Sequence, residues 1–435
     1  MADELAAERR ASMAHDQDSA RAAAEAVARA SYGKLVAFLA SRTHDVAAAE
    51  DALSDAFASA LAEWPVKGRP SNPEAWLLTV ARRRMIDGLR HRHVSEAASD
   101  DLRMLAEALD GTADDAEIPD QRLALLFACA HPAIDAGIRA PLMLQVVLGL
   151  DAKAIASAFL MSPSAMGKRL VRAKQKIREA SIPFRVPARE ELPPRLDTVL
   201  EALYASYAEG WTNPEGTDAA RRDLADEAIF LVRLAAELMP DQAEALGLLA
   251  LVLYTHARRR ARRDEAGEFV PLADQDAAHW DTAMIDEAEA LLRRASTLHA
   301  IGRYQLEAAL QSAHVHRRRT GNANWHDVVQ LYDALLASTG SPVVAINRAL
   351  AIAERDGADA ALAAMPDERD DTRLCEYQPY WAARAELLAR THAIDEARRA
   401  YELAIGLERD EAIRRFLQRR QAALTEPDPF ETFTK

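Results

Sequence analysis

Residues 150–178 read LDAKAIASAFLMSPSAMGKRLVRAKQKIR, and the fold class follows from how this stretch divides. Leu150 to Leu160 is a short amphipathic helix. Met161-Ser162-Pro163 is a turn, with Ser162 placed to cap the next helix and Pro163 at its first position, where no N–H is needed. Ser164 to Arg178 makes a second helix, whose buried stripe is Met166, Leu170, Ala173 and Ile177 at helical spacing. Lys168, Arg169, Arg172, Lys174, Lys176 and Arg178 place six positive charges ahead of the first acid, Glu179. Two short helices around a tight turn make a helix-turn-helix, whose second helix suits the major groove of DNA.

The rest of the chain agrees with a helical reading. It has 435 residues, 49% apolar and 6% aromatic, with Gly 16 and Pro 19. Ala, Leu, Arg and Glu dominate, which favours helix and argues against a β-sandwich or barrel. The length calls for two or three domains. Cys129 and Cys375 alone can make neither a disulfide framework nor a four-ligand zinc site, so reduced thiols are expected. No apolar run reaches bilayer length, and the polar start, Met1 to Asp18, lacks a secretory hydrophobic segment. An all-α, cytoplasmic protein with no membrane partner is expected.

The net charge of −14 is unevenly spread. Residues 1–93 carry 13 basic and 13 acidic side chains, and residues 94–120 carry Arg103 against nine acids. Residues 121–185 carry 10 basic and 3 acidic side chains, and residues 186–435 carry 30 and 43. A basic module thus sits between acidic neighbours, so the average does not exclude a nucleic-acid partner.

Residues 20–93 read as a small helical domain. Its first half holds two helices, the second with Ala49, Ala52, Leu53, Ala56, Phe57, Ala60 and Leu61 on one face. WPVKGRPSNP, residues 64–73, is a loop by its prolines and glycine. Asn72 and Pro73 then open a helix whose Trp76, Leu77, Val80, Ile86 and Leu89 bury, while Arg82, Arg83, Arg84, Arg90 and Arg92 mostly stay outside. Residues 94–120 read as an acidic linker, 121–185 as the helix-turn-helix domain, and 186–425 as helical hairpins. Trp381, Ala385, Leu388, Ala397, Tyr401 and Ala404 follow the small/large pattern of a tetratricopeptide helix pair, with a weaker copy over 343–365.

No phosphate loop, dinucleotide fingerprint, nucleophile elbow or zinc motif occurs, so no cofactor, metal or catalysis is expected. His256 and His279 lie near Asp274, Asp276 and Asp281, but satisfied polar residues in a helical array are the plainer reading. Arg258, Arg259, Arg260, Arg262 and Arg263, among Glu265 and Glu268, read as a solvated loop. Two basic helices in separate modules, joined by an acidic tether, would grip DNA by phosphate neutralisation and read a bipartite site.

Three segments carry a specific resemblance: AEDALSDAFASALAEW, NPEAWLLTVARRRMIDGLR and IASAFLMSPSAMGKRLVRAKQKIR. In order and spacing they resemble bacterial RNA polymerase sigma factors of the sigma-70 superfamily, extracytoplasmic-function type. LYASYAEGW (203–211), DQDAAHWD (274–281) and SPVVAINRALA (341–351) are similar to the tetratricopeptide-like extension of one subgroup. The resemblance implies core RNA polymerase and promoter DNA as partners, with no enzymatic activity. It implies a polymerase face at Asp45, Glu50, Asp51, Asp55 and Phe57. It implies capture of a −10 element by the loop 64–73 and by Asn72, Trp76, Arg82, Arg83 and Arg90. Ser164, Lys168, Arg169, Arg172 and Lys174 would hold a −35 element. The linker would lie in a basic polymerase channel, and the array would bind a protein partner or regulate. Arg83 stands where the family usually has Asn, which bears on the promoter sequence read. The alternative from another class is a helix-turn-helix regulator that acts without polymerase and uses the array as a sensor.

Overall fold

The computed structural model describes residues 31–33, 35–40, 46–92, 120–159, 161–179, 187–212 and 219–424. Among them the fold is all-helical, as composition requires, with only an isolated bridge between Arg263 and Phe269 in place of a strand. The chain divides into two compact units, Met1–Leu238 and Met239–Lys435.

Unit 1 begins with helical residues 31–33 and 35–40, then α1 (Val46–Lys67) and α2 (Pro73–Arg92), which pack along each other. Leu53, Ala56, Ala60 and Trp64 of α1 and Leu77, Ala81 and Met85 of α2 are buried, the apolar faces expected from their spacing. α1 runs through Trp64 and Pro65 to Lys67, so the irregular segment is shorter than the expected 64–73. Gly68 ends the helix at φ +84, a left-handed conformation open to glycine, and its N–H reaches the Trp64 carbonyl at 3.0 Å. Asn72 accepts the Ala75 N–H at 3.1 Å and caps α2, as Asn-Pro predicts.

The expected linker lies outside the described residues up to Asp120, which caps α3 (Gln121–Cys129) by accepting the Arg122 N–H at 2.7 Å. Next come α4 (Ala136–Val146), α5 (Ala152–Ala158) and α6 (Pro163–Glu179). Asp151 caps α5 through the Ala154 N–H at 2.7 Å, and the Ser162 hydroxyl faces the Ala165 N–H at 3.4 Å. α6 lies on α4 and α5 with Met166 and Leu170 buried.

Helices α7 (Pro193–Thr212) and α8 (Ala219–Leu238) belong to this same unit, although the sequence places a boundary after residue 185. The reason is packing: α7 covers α4, and buried Arg195 donates to the Phe127 carbonyl at 3.1 Å. The Arg122 guanidinium pairs with Glu227 of α8 and lies 5.8 Å from the Phe230 ring. A composition shift marks where charge changes, not where contacts end.

Unit 2 holds α9 (Ala243–Ala257), α10 (Thr282–Ser296), α11 (Arg303–Thr320), α12 (Trp325–Thr339), α13 (Pro342–Asp356), α14 (Ala358–Ala364), α15 (Gln378–Arg390), α16 (Ile394–Leu407) and α17 (Glu411–Ala422). Consecutive helices pair from α10 onward, while α9 packs on both α10 and α11. Gly247 on α9 permits the close crossing: a Cβ there would meet Gln305 at 2.8 Å. Glu244 caps α11 by accepting the Tyr304 and Gln305 N–H groups at 2.9 and 3.1 Å. Ala385, Leu388, Ala397, Tyr401 and Ala404 form one core cluster with Trp381 against it. The last helix returns to the 263–269 loop. Arg263 pairs with Asp410 at 2.5 Å, Glu268 with Arg415 and Arg419 at 2.8 and 2.6 Å, and Phe269 meets Phe416 edge-on at 5.5 Å.

Candidate functional site

Asp51 and Asp55 lie four residues apart on α1 and are both exposed, so they share one acidic face. Phe57 is half-buried and stacks on Tyr32 at 6.2 Å. Burial, with the Glu50 carboxylate adding to it, pushes the Tyr32 phenol up to about 12, so it stays neutral. Glu50 differs from its neighbours. It is 9% exposed and holds Lys174 of α6 at 2.7 Å. One residue expected at a polymerase face and one expected at DNA are therefore bonded to each other, across 124 positions of sequence.

The same seam continues beside them. A Cβ on Gly33 would overlap the Val147 carbonyl oxygen, so the backbones touch there and only glycine fits. One on Gly149 would lie 3.9 Å from Tyr32. Buried Cys129 lies close enough to Glu50 and Lys174 to feel both, and its burial raises the thiol pKa, which leaves it protonated and inert.

On α2, Trp76 is half-buried and meets buried Trp64 edge-on at 5.7 Å, which fixes the end of α1 to the start of α2. The Arg82 guanidinium lies 5.3 Å from the Phe38 ring, so its stem belongs to the core edge. Arg83 and Arg84 are exposed. Glu74, in the first turn of α2, accepts the Ser31 hydroxyl. Asp45 and the side chain of Arg90 lie outside the described residues.

On α6, Ser164, Lys168 and Arg172 are exposed along one flank. Arg169 is half-buried: it donates to the Gly137 carbonyl at 2.9 Å and contacts the Met161 sulfur at 3.3 Å. It thus fixes α6 to the start of α4. Val171, 66% exposed between these charges, is an apolar side chain in water that the sequence reading passed over. So is Val66, 83% exposed beside Gly68. Both follow from reading the helix as two faces and ignoring the flank.

Among the described residues no group of three or more His, Cys, Asp or Glu side chains is placed to hold a metal ion. No helix among them is long and apolar enough to cross a membrane.

Residues 27–94 match the family model of sigma-70 region 2, and residues 195–296 match that of a family of unknown function, DUF6596. The chain is 39% identical over 368 residues to the uncharacterized protein R00370 of Rhizobium meliloti, spanning 82% of this chain and 86% of that protein. It is 30% identical over 194 residues to a probable RNA polymerase sigma factor, RfaY, of Xanthomonas campestris pv. campestris, spanning 43% of this chain and 45% of that protein. No solved structure matches the chain.

Proposed function

We propose that the chain, which is in one family with the uncharacterized protein R00370 of Rhizobium meliloti, is a sigma-70-type dissociable specificity subunit that directs core RNA polymerase to promoters. It is of the extracytoplasmic-function type, catalyses no reaction and works in the cytoplasm. The observation that carries this reading is the region 2 match at 27–94, because it covers both the acidic face of α1 and the basic flank of α2. Asp51 and Asp55 pair with a basic surface of the polymerase, where each lost charge weakens association. The segment 68–72, with Trp76 and Arg83 behind it, takes up −10 DNA, and an extruded base there repays the unstacking cost through stacking and phosphate contacts. Ser164, Lys168 and Arg172 hold −35 DNA, mostly through phosphates. Arg169 serves as the residue that positions α6, and Lys174 reaches DNA only once its bond to Glu50 opens. Residues 186–425 form a tetratricopeptide-like extension that binds a protein partner or regulates the reading modules.

Run-off transcription with core polymerase on a promoter library tests this. The full-length protein should start transcripts at defined positions. The Asp51→Arg, Asp55→Arg variant should lose both co-purification with core enzyme and transcription while keeping its helical content. The exposed charges of α6 also suit a regulator that binds DNA without polymerase. That reading takes over if full-length protein protects specific DNA alone and never co-purifies with core enzyme.

A further inference from the structure

Ser164, Lys168, Val171 and Gln175 follow one another along α6 at intervals of four, three and four residues, so they form a single row on the helix. All four are exposed, as is Arg172 beside the row. The buried Met166 and Leu170, on which α6 rests against α4 and α5, lie on the opposite side of the helix. Arg169 donates to the Gly137 carbonyl at 2.9 Å and so fixes which side α6 turns outward. The row is therefore the part of α6 that a groove would receive, and rows of this spacing are how helices meet base edges.

Val171 is 66% exposed, and among the described residues of 120–179 no other Val, Leu, Ile, Met or Phe side chain is exposed. A single apolar side chain on a surface ordinarily needs no explanation. This one stands in a row whose other members are polar, with Lys168 one turn before it and Arg172 next to it. The two cations suit the phosphates that flank a groove. A valine offers a phosphate neither donor nor charge, so its counterpart lies among the base edges. The apolar group displayed in the major groove is the C5 methyl of thymine. The other groups there are hydrogen-bond donors and acceptors, and covering one with an isopropyl group takes away its water without replacing the bond.

Resting on the promoter-directing function above, we propose that Val171 sets a thymine preference at one position of the −35 element, by packing against the thymine methyl group. Lys168 and Arg172 supply affinity for the backbone, and Val171 supplies discrimination. The exposed side of α6 thus divides into two kinds of residue. Loss of a cation weakens binding to all sequences alike and lowers its dependence on salt. Loss of the valine leaves the salt dependence in place and relaxes the choice of base at a single position.

The test uses the full chain with core polymerase. Promoters are selected from a library randomised upstream of the start, and each thymine of the selected −35 element is then replaced by deoxyuridine, which lacks only the methyl group. At one thymine the replacement should weaken promoter binding by about three- to fivefold, the value of roughly one buried methyl group. With Val171→Ala, thymine and uracil at that position should bind equally, and the slope of binding against salt should keep its value. With Lys168→Ala the thymine preference should persist while the slope flattens. The deoxyuridine change is made in the DNA and is read on the unaltered protein, so it decides even where a variant folds poorly. The proposal is overturned if no thymine of the element shows a uracil penalty, or if Val171→Ala retains the penalty in full. A chain that selects a −35 element and fails either of these tests loses this inference alone. A chain that starts no transcripts with core polymerase loses the promoter-directing function as well.

Discussion

The two units hold themselves together in opposite ways. In unit 1 the helices at 31–92 meet those at 120–179 along a narrow seam: the Glu50–Lys174 ion pair, the Gly33–Val147 backbone contact and the Tyr32–Gly149 contact. In unit 2 the return of α17 to the 263–269 loop uses an ion pair at Arg263, a shared carboxylate at Glu268 and a ring contact at Phe269. The first arrangement combines a single charge pair with two close approaches at glycines. The second is spread over several contacts and stays closed when one is lost. The proposed function asks for the first kind of joint between two modules that span separate DNA elements, and for the second in a surface that keeps its shape for a partner.

The contrast breaks most severely at the core of unit 2. Trp381→Ala with Tyr401→Ala removes aromatic mass from one cluster, of which Tyr401 is 2% exposed. A loss of about 3–5 kcal/mol is expected for the buried ring alone. Urea unfolding followed by circular dichroism should show an early transition in place of a single late one; an unchanged midpoint would mean that this cluster does not bear on unit 2.

The seam of unit 1 should respond next. Lys174→Met leaves Glu50 nearly buried without its partner, and about 2 kcal/mol should be lost, less than the roughly 3–5 kcal/mol of a fully buried pair because Lys174 is a quarter exposed. Adding Glu50→Leu should restore most of it, as contacting residues are coupled. Thermal melts of the two single variants and the double variant measure the coupling. Additive losses would show that the pair is incidental.

A pH series sharpens the comparison at a buried histidine of unit 2. Burial, with Arg317 and Arg258 nearby, holds the His314 imidazole at about 4, against its ordinary 6.5. The folded unit keeps this ring neutral while the unfolded chain protonates it. Stability present above pH 6.5 is therefore lost as pH falls toward 4, on the order of 1 to 2 kcal/mol by pH 5. His314→Gln should flatten the dependence of Tm on pH between 7 and 5. An equal slope in both proteins would place the sensitivity elsewhere.

The smallest effect is expected from Glu268→Ala. Its carboxylate is held below the usual range by Arg419 and Arg415, yet the pair of bonds is open to water. Tm should fall by no more than about 2 °C, because exposed ion pairs contribute little. A large fall would mean that the loop is held at one point after all.

Local structure was legible from sequence wherever a short-range rule applied. Asn72-Pro73 and Ser162-Pro163 start helices where capping chemistry puts them, and the Met166–Leu170 stripe is buried. The acidic pair Asp51 and Asp55 is exposed together because helical spacing alone fixes that. What spacing cannot reach is pairing over long separations. Glu50 read as one more surface acid, and nothing within a few residues distinguishes it from Asp51. Arg169 and Lys174 read as members of a basic row, yet each is turned to a neighbour that the chain supplies from far away. A cavity lined by Arg259, Arg260, Asp274, Asp276 and Trp280 stayed hidden for the same reason: its arginines and its aspartates read as two unrelated clusters, and only the turn after α9 brings them to one cavity.

The return of α17 to the 263–269 loop has a consequence for how the array can change over generations. An open stack of helix pairs tolerates an added or deleted pair, since each touches only its neighbours. A stack whose last helix must meet a loop 147 residues earlier has a fixed circumference. Inserting one pair would carry Asp410, Arg415 and Phe416 past their partners, and removing one would leave them short. Such an array counts its own members, and relatives built on the same closure should vary in surface and loop length long before they vary in number of helices.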